Sequence, residues 1–453
     1  MQPACSGIGS INGGITLIRI ITIFILSILP FFVWAKKELN FTYWGSTFEK
    51  KAVEDVIDDF NKSHPGIHVK AQHIPQNYHE KVMTMISGGN APDVGYIGGD
   101  EVQPWATQGV IKNLSPYFAK DPDLQSRMEV SRYRIGDGIA ATNAALESMI
   151  IYYNKKIFDE AGIPYPPSKW TEAWTWDEFV NVAKKLTKDK NGNNALSPNF
   201  DKDNIEIYGF GHDRWWGVWM PFIYSNKGKI ISDDGKSVVI DQPASIEAIQ
   251  KFADLSWKHH VSPTPAATKS FPNNNVMLQT GKVAMSMNGH WNILDISQMG
   301  FDWGIGVLPY HKLPITITFG GAIGVFNDTK HPEEAFKLFK FFGDPDKNAL
   351  FPKGLWMPLR VKDYLDPTLT ANWLDKIPGV YPPESRDVLV DYTLVSTLVH
   401  TRKPPSYWAN GWSKALSKVI QPALDLVFAN EASADEALKD VAKRANPMLK
   451  GRL

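Results

Sequence analysis

The 453-residue chain predicts an α/β fold, and three observations carry the prediction. Short apolar runs alternate with stretches of helical period from Leu39 onward, the order that builds sheets covered by helices. A strand stop and a helix start stand close together between Met149 and Leu186. With 43% hydrophobic residues, the chain is also long enough for two globular domains with cores of their own.

The elements follow in order. Leu39–Tyr43 reads as a first strand, and Phe48–Phe60 as an amphipathic helix with Val53, Val56, Ile57 and Phe60 on one face. His64-Pro65-Gly66 turns the chain into the strand Ile67–Ala71. A helix over Tyr78–Ser87 stops at Gly88-Gly89-Asn90, the strand Pro92–Tyr96 follows, and Trp105–Leu114 leads to another. Met149–Tyr153 is a buried strand that ends at Asn154-Lys155. A short helical turn comes next, broken by Gly162 and by Pro164, Pro166 and Pro167. Thr175-x-x-Glu178 is a capping box: hydroxyl and carboxylate satisfy backbone donors at the start of a helix whose apolar face is Phe179, Val182, Ala183 and Leu186. Trp303–Pro309 and Gly320–Phe326 read as strands. Pro332–Phe342 reads as a helix with proline and acids in its first turn.

Charge narrows the function classes. The 48 basic side chains balance 48 acidic ones, which argues against nucleic acid, and no run of like charge suggests an anionic membrane. The unusual figure is 16 Trp beside 15 Tyr and 23 Phe, a supply suited to stacking on the flat apolar faces of sugar rings. Near the start, Arg19 precedes an apolar run from Ile20 to Trp34, and Val33-Trp34-Ala35 has cleavage-site character before Lys36-Lys37. Residues 1–35 thus read as a secretory signal peptide; the alternative is an uncleaved anchor that barely spans a bilayer. The single Cys5 precedes the run, so it offers no lipid-attachment cysteine, and a periplasmic location is expected. The stretch before Thr16 fits no targeting logic, and the true start is expected nearer Leu17.

Several ordered segments carry a family resemblance. They are helix–HPGI–strand–GGNAPDV–strand–AxxGxxxxL in the first part, YYNKKIFDEAGI at Tyr152–Ile163, TWDEF at Thr175–Phe179, and Gly281-Lys-Val-Ala-Met-Ser-Met-Asn-Gly-His-Trp291. In this order the chain resembles the extracellular solute-binding proteins of bacterial ABC importers, the sugar-binding family that includes maltose-binding protein. The resemblance runs from about residue 38 to 445. It implies a two-lobed, periplasmic-binding-protein-like type II fold with hinge strands. Matching positions put the crossings near 140–145, 303–308 and 343–347, and Trp303–Pro309 and Gly320–Phe326 look like the strands that return to the first lobe. Lobe 1 would then hold residues 36–141 and 306–344, and lobe 2 residues 142–305 and 345–453.

The implied function is capture of a carbohydrate, an oligosaccharide in preference to a monosaccharide, and its delivery to a membrane permease whose ATPase subunits act indirectly. A monomer with no cofactor, no metal and no catalysis is expected. Sugar sites need aromatic faces and side chains that bridge hydroxyls. The residues expected at the cleft are Trp44, Asp100, Glu147, Asp213, Trp215, Trp216, Asn288, Trp291, Trp356 and Trp408, with Trp219 and the Tyr407–Trp412 group nearby. Each tryptophan has an equally plain reading as core, and Arg214 has one as a surface partner of Asp213. Trp174 and Trp176 read as structural. Rival chemistry is thin. His64, His68, His73 and His79 lack ligand spacing, and the loop from Asp189 has Pro198 where a calcium loop needs Glu. No phosphate loop, dinucleotide fingerprint or nucleophile elbow occurs. The same fold binding a polyamine or a glycerol phosphate ester stays open, as does a glycosidase using Asp100 and Glu147.

Overall fold

The computed structural model describes residues 36–400 and 403–453; the signal-peptide, Cys5 and start-site expectations fall outside the described residues. Its strands form two sheets. They are β1 (Lys37–Tyr43), β2 (Ile67–His73), β3 (Val94–Ile97), β4 (Arg132–Ile135), β5 (Gly138–Asn143) and β6 (Glu147–Asn154), followed by β7 (Lys188–Asp189), β8 (Ile205–Gly211), β9 (Val283–Gly289), β10 (Trp303–Gly306), β11 (Thr318–Phe319) and β12 (Ala322–Val325).

The first sheet runs β2-β1-β3-β12-β5-β4. β1 is parallel to both β2 and β3, while β12 is antiparallel to β3 and β5. The helix Thr47–Ser63 covers it, burying Ala52, Val53, Val56, Ile57 and Phe60, the face its 3.6-residue period requires. The helix Pro332–Phe342 completes the layer: Phe342 stacks on Phe41 with ring centres 4.6 Å apart, and Phe341 meets Phe60 at 5.2 Å. The passage after Trp105 brings no strand. Val102–Thr107 is a helical turn, and Ile111 makes only an isolated bridge to Phe326.

The second sheet runs β10-β6-β9-β8-β7. β6 is its spine, with seven of eight residues buried, as the continuous apolar run Met149–Tyr153 demands. Asn154 then ends the strand and starts the helix Lys155–Ala161. Its Oδ1 accepts the Ile157 N–H at 3.4 Å, and Gly162 closes the helix at φ +64°. Both halves of the Thr175–Glu178 capping box form. Trp303–Gly306 departs from the expected return to the first lobe: it pairs antiparallel with β6, because a strand buried on both faces needs partners along both edges. Only β12 returns to the first sheet.

Between β10 and β12 the chain runs along the start of β6. Thr318 and Phe319 of β11 pair with Ser148 and Glu147. Thr316 Oγ1 accepts the Met149 N–H at 3.2 Å and donates to the Met149 carbonyl at 2.8 Å. The α-helical turn Tyr392–Leu394 and the π-helical turn Val395–Val399 that follows it bring hydroxyls against this crossing. Thr393 Oγ1 donates to Ser148 Oγ, Thr397 Oγ1 donates to Thr318 Oγ1, both at 3.2 Å, and Ser396 Oγ accepts the Thr316 N–H at 3.1 Å. Lys36–Leu453 form one compact unit.

Candidate functional site

A cavity of about 380 Å³ opens beside this crossing, walled by elements of both sheets. From the first come Trp44, at the end of β1, and Ser46 and Glu49, at the start of the helix that follows. Glu147 opens β6, opposite Phe319. From the second sheet's flank come Trp215 and Trp216, at the start of the helix Trp216–Ser225, and Trp291, Asn292 and Asp295, just after β9. The strand ends supply the site, as open α/β sheets generally do.

Aromatic rings make two walls. In one, Trp44 lies edge-on to Tyr78 and Tyr96, each at 5.0 Å, and Tyr96 leans on Trp356 at 6.1 Å. In the other, Trp215, Trp216 and Trp291 surround Phe319 at 5.9, 5.1 and 5.9 Å. Two glycines make the second wall possible. A Cβ on Gly289 would overlap the Trp291 ring, and one on Gly217 would overlap the Trp215 ring. Each indole therefore folds back over backbone and presents a face.

The carboxylates are perturbed. Burial pushes the Glu147 carboxyl up to about 8, against a hydrogen bond from the Gly321 N–H. Burial, then the charges of Glu147 and Asp295, raise Glu49 to about 8. Asp295 is also raised by burial, opposed by the Ser46 hydroxyl that donates to its Oδ1 at 2.8 Å. None of the lining residues is Lys, Arg or His.

Of the residues expected at the cleft, Trp44, Glu147, Trp215, Trp216, Trp291 and Trp356 line the cavity, Trp356 by a sliver since it is 3% exposed. Four lie elsewhere. Asp100 sits behind the wall, where Trp216 Nε1 donates to one oxygen at 3.2 Å and Trp412 Nε1 to the other at 3.0 Å. The carboxylate is thus spent on positioning two indoles, and burial with the neighbouring Glu101 charge raises it to about 7. Asp213 is exposed and accepts from Asn274 Nδ2 at 3.3 Å. Asn288 turns its Oδ1 to the Gly289 N–H at 2.9 Å. Trp408 lines a separate, basic cavity, where the Arg452 guanidinium lies 4.9 Å from its ring centre.

Other expectations resolve into structure. Arg214 donates to the Pro263 carbonyl at 2.9 Å and to Thr268 Oγ1 at 3.4 Å, not to Asp213, because the loop at 263–268 lies against it. Trp219 and Trp176 are core. Asp189 accepts the N–H groups of Asn191, Asn193 and Asp201, so its loop is a turn. Sequence reasoning missed Ser46, Glu49, Tyr96, Asn292, Asp295 and Phe319. Ser46 and Glu49 had a signal in the cap of the first helix; Phe319 had none, since only the crossing of β11 over β6 brings it in.

Two sheets joined by crossing strands, with an aromatic and acidic cavity between their elements, define the two-lobed solute-binding class of proteins. The chain belongs to the bacterial extracellular solute-binding protein family, which it matches over residues 40–349. It is similar to the multiple sugar-binding protein of Streptococcus mutans, 25% identical over 321 residues, which are 67% of this chain and 71% of that protein. The maltotriose-binding protein of Pyrococcus abyssi is 24% identical over 311 residues, 65% of this chain and 60% of that one. Among solved structures, an ABC substrate-binding protein of Listeria monocytogenes in complex with cycloalternan aligns with a TM-score of 0.76 at 24% identity, covering 91% of this chain and 98% of that one. The maltose/maltodextrin-binding domain of Bdellovibrio bacteriovorus bound to maltotriose aligns at 0.71 and 20% identity, over 90% and 99%. At such identities these structures establish the fold.

Proposed function

We propose that this protein captures an oligosaccharide in the cavity between its two lobes and hands it to a membrane permease of an ABC importer. One observation carries the reading: five tryptophans and three carboxylates converge on a single cavity of about 380 Å³. Indole faces bury the apolar faces of sugar rings, and carboxylates bridge their hydroxyls. The same lining argues against a glycerol phosphate ester, which needs donors with positive charge. A glycosidase pair of Asp100 and Glu147 is disfavoured too, since Asp100 is held behind Trp216. The protein acts by binding alone, as a monomer outside the cytoplasmic membrane. Its lobes close on the sugar because contacts from both are made only in the closed form.

The test is a thermal-shift screen of the purified protein against mono- and oligosaccharides, with diamines and glycerol phosphate as controls. A ligand that binds only the folded state raises the melting temperature. Stabilisation by an oligosaccharide, with no new product on chromatography, is expected. Stabilisation by the controls alone overturns the carbohydrate assignment, and product formation overturns the absence of catalysis.

A further inference from the structure

We propose that the captured carbohydrate carries a basic nitrogen: an amino sugar, or an oligosaccharide with an amine in one unit. This rests on the carbohydrate reading above and adds the charge of the ligand to it. The cavity contains Glu49, Glu147 and Asp295 and no cationic side chain in its lining. Glu49 is close enough to both of the others to feel their charges. Carboxylates without a cationic partner in a half-buried, indole-walled space are costly when ionised, because the hydrogen bonds from Ser46 and Gly321 offset only part of their lost hydration. A neutral sugar offers hydroxyl donors but no counter-charge. An ammonium group offers both, and it also gains from indole faces, which attract cations.

Two further groups in the same lining await a partner. Tyr96 is 4% exposed and its hydroxyl finds no partner among the described residues. Asn292 is 8% exposed and its Nδ2 is likewise unpartnered. Buried polar groups are rarely left so, and a ligand with hydroxyls and a ring oxygen supplies what each lacks. The tryptophans and these neutral groups therefore favour a sugar framework, while the carboxylates favour a positive charge on it. A bare diamine would leave the aromatic faces and the Asn292 amide without use.

The experiment is isothermal titration of the purified protein with matched pairs. Glucosamine oligomers of two to four units are compared with their N-acetylated forms and with neutral glucose oligomers of the same length. An amine-bearing pseudo-oligosaccharide is compared with the neutral maltodextrin of equal size. In at least one pair the amine form is expected to bind tenfold or more tightly, about 1.4 kcal/mol. Glu147→Gln and Glu49→Gln, each checked for folding by circular dichroism, should reduce that preference to threefold or less. Neutral oligosaccharides binding as well as or better than every amine partner would overturn this inference and leave the carbohydrate reading standing. Binding of simple diamines with no carbohydrate of either kind would overturn both. An amine preference that survives both Gln variants would also sink it, because the carboxylates would not be its source.

Discussion

Trp291 and Glu147 show what single residues contribute. Trp291 stands on Gly289 with its ring over the cavity, so Trp291→Ala removes a stacking face while leaving β9 in place. Ligand affinity should fall by tenfold or more, read by titration, with the urea midpoint of the unliganded protein nearly unchanged. Unchanged affinity in the folded variant would remove Trp291 from the site. Glu147 carries a prediction in pH. Its carboxyl is held at about 8 when folded, against an ordinary 4.5, so the native state keeps a proton that the unfolded chain gives up. Its contribution to stability is fully present below the lower value and is lost as pH rises through the upper one. In Glu147→Gln that loss is absent, and Glu49 ionises more readily once its neighbour is neutral. The variant should therefore gain melting temperature relative to wild type between about pH 5 and about pH 9. A difference that stays flat or shrinks over that range would show that Glu147 is not buried as described.

At the scale of elements, the crossing beside the cavity is held by hydroxyls where most cores use aliphatic packing. Thr316 is 1% exposed, and its side chain ties both backbone groups of Met149 at the spine of the second sheet. Thr316→Val keeps the shape but leaves a buried N–H and carbonyl with less satisfaction, a loss of about 1–3 kcal/mol. Urea denaturation followed by circular dichroism measures it, and an unaltered midpoint would argue that β11 moves freely along β6. Much at this scale is readable from local sequence. Asn154, Gly162 and the Thr175–Glu178 box act through backbone groups three or four residues away, so their effects need no tertiary knowledge. Trp303–Gly306 is the counter-example. Its apolar alternation marks a strand, but the choice between the two sheets depends on which edge of β6 is unfilled.

For the molecule as a whole, the cavity is built by approach of elements that belong to different sheets. Ser46, the cap of the helix after β1, donates to Asp295 beyond β9, and Asp100, after β3, receives two indoles, Trp216 from just after β8 and Trp412 from near the end of the chain. The Ser46–Asp295 contact joins two residues that line the cavity from different sheets. If the lobes hinge, unliganded protein in solution should be more extended than this arrangement, and a bound oligosaccharide should reduce its radius of gyration by small-angle X-ray scattering. A radius unaltered by saturating ligand, and already equal to that of the closed form, would mean a rigid pocket.

What the sequence determined by itself was whatever is written over short range or in order along the chain. That includes the α/β alternation, the caps and breaks, and the ordered segments that mark the family. It also includes the presence of Trp215 and Trp291 beside Gly217 and Gly289, which let their rings turn back. What only the tertiary structure decided was which of these groups share a space. Trp408 and Asp213 are the same kinds of residue as Trp291 and Glu147, yet one lines a basic cavity and the other faces solvent. Glu49, Asn292 and Phe319 reach the site only when strands far apart in sequence pair beside one another. Side-chain chemistry is local, but the company a side chain keeps, and with it the charge of the cavity, is set by long-range strand pairing that no short window of sequence contains.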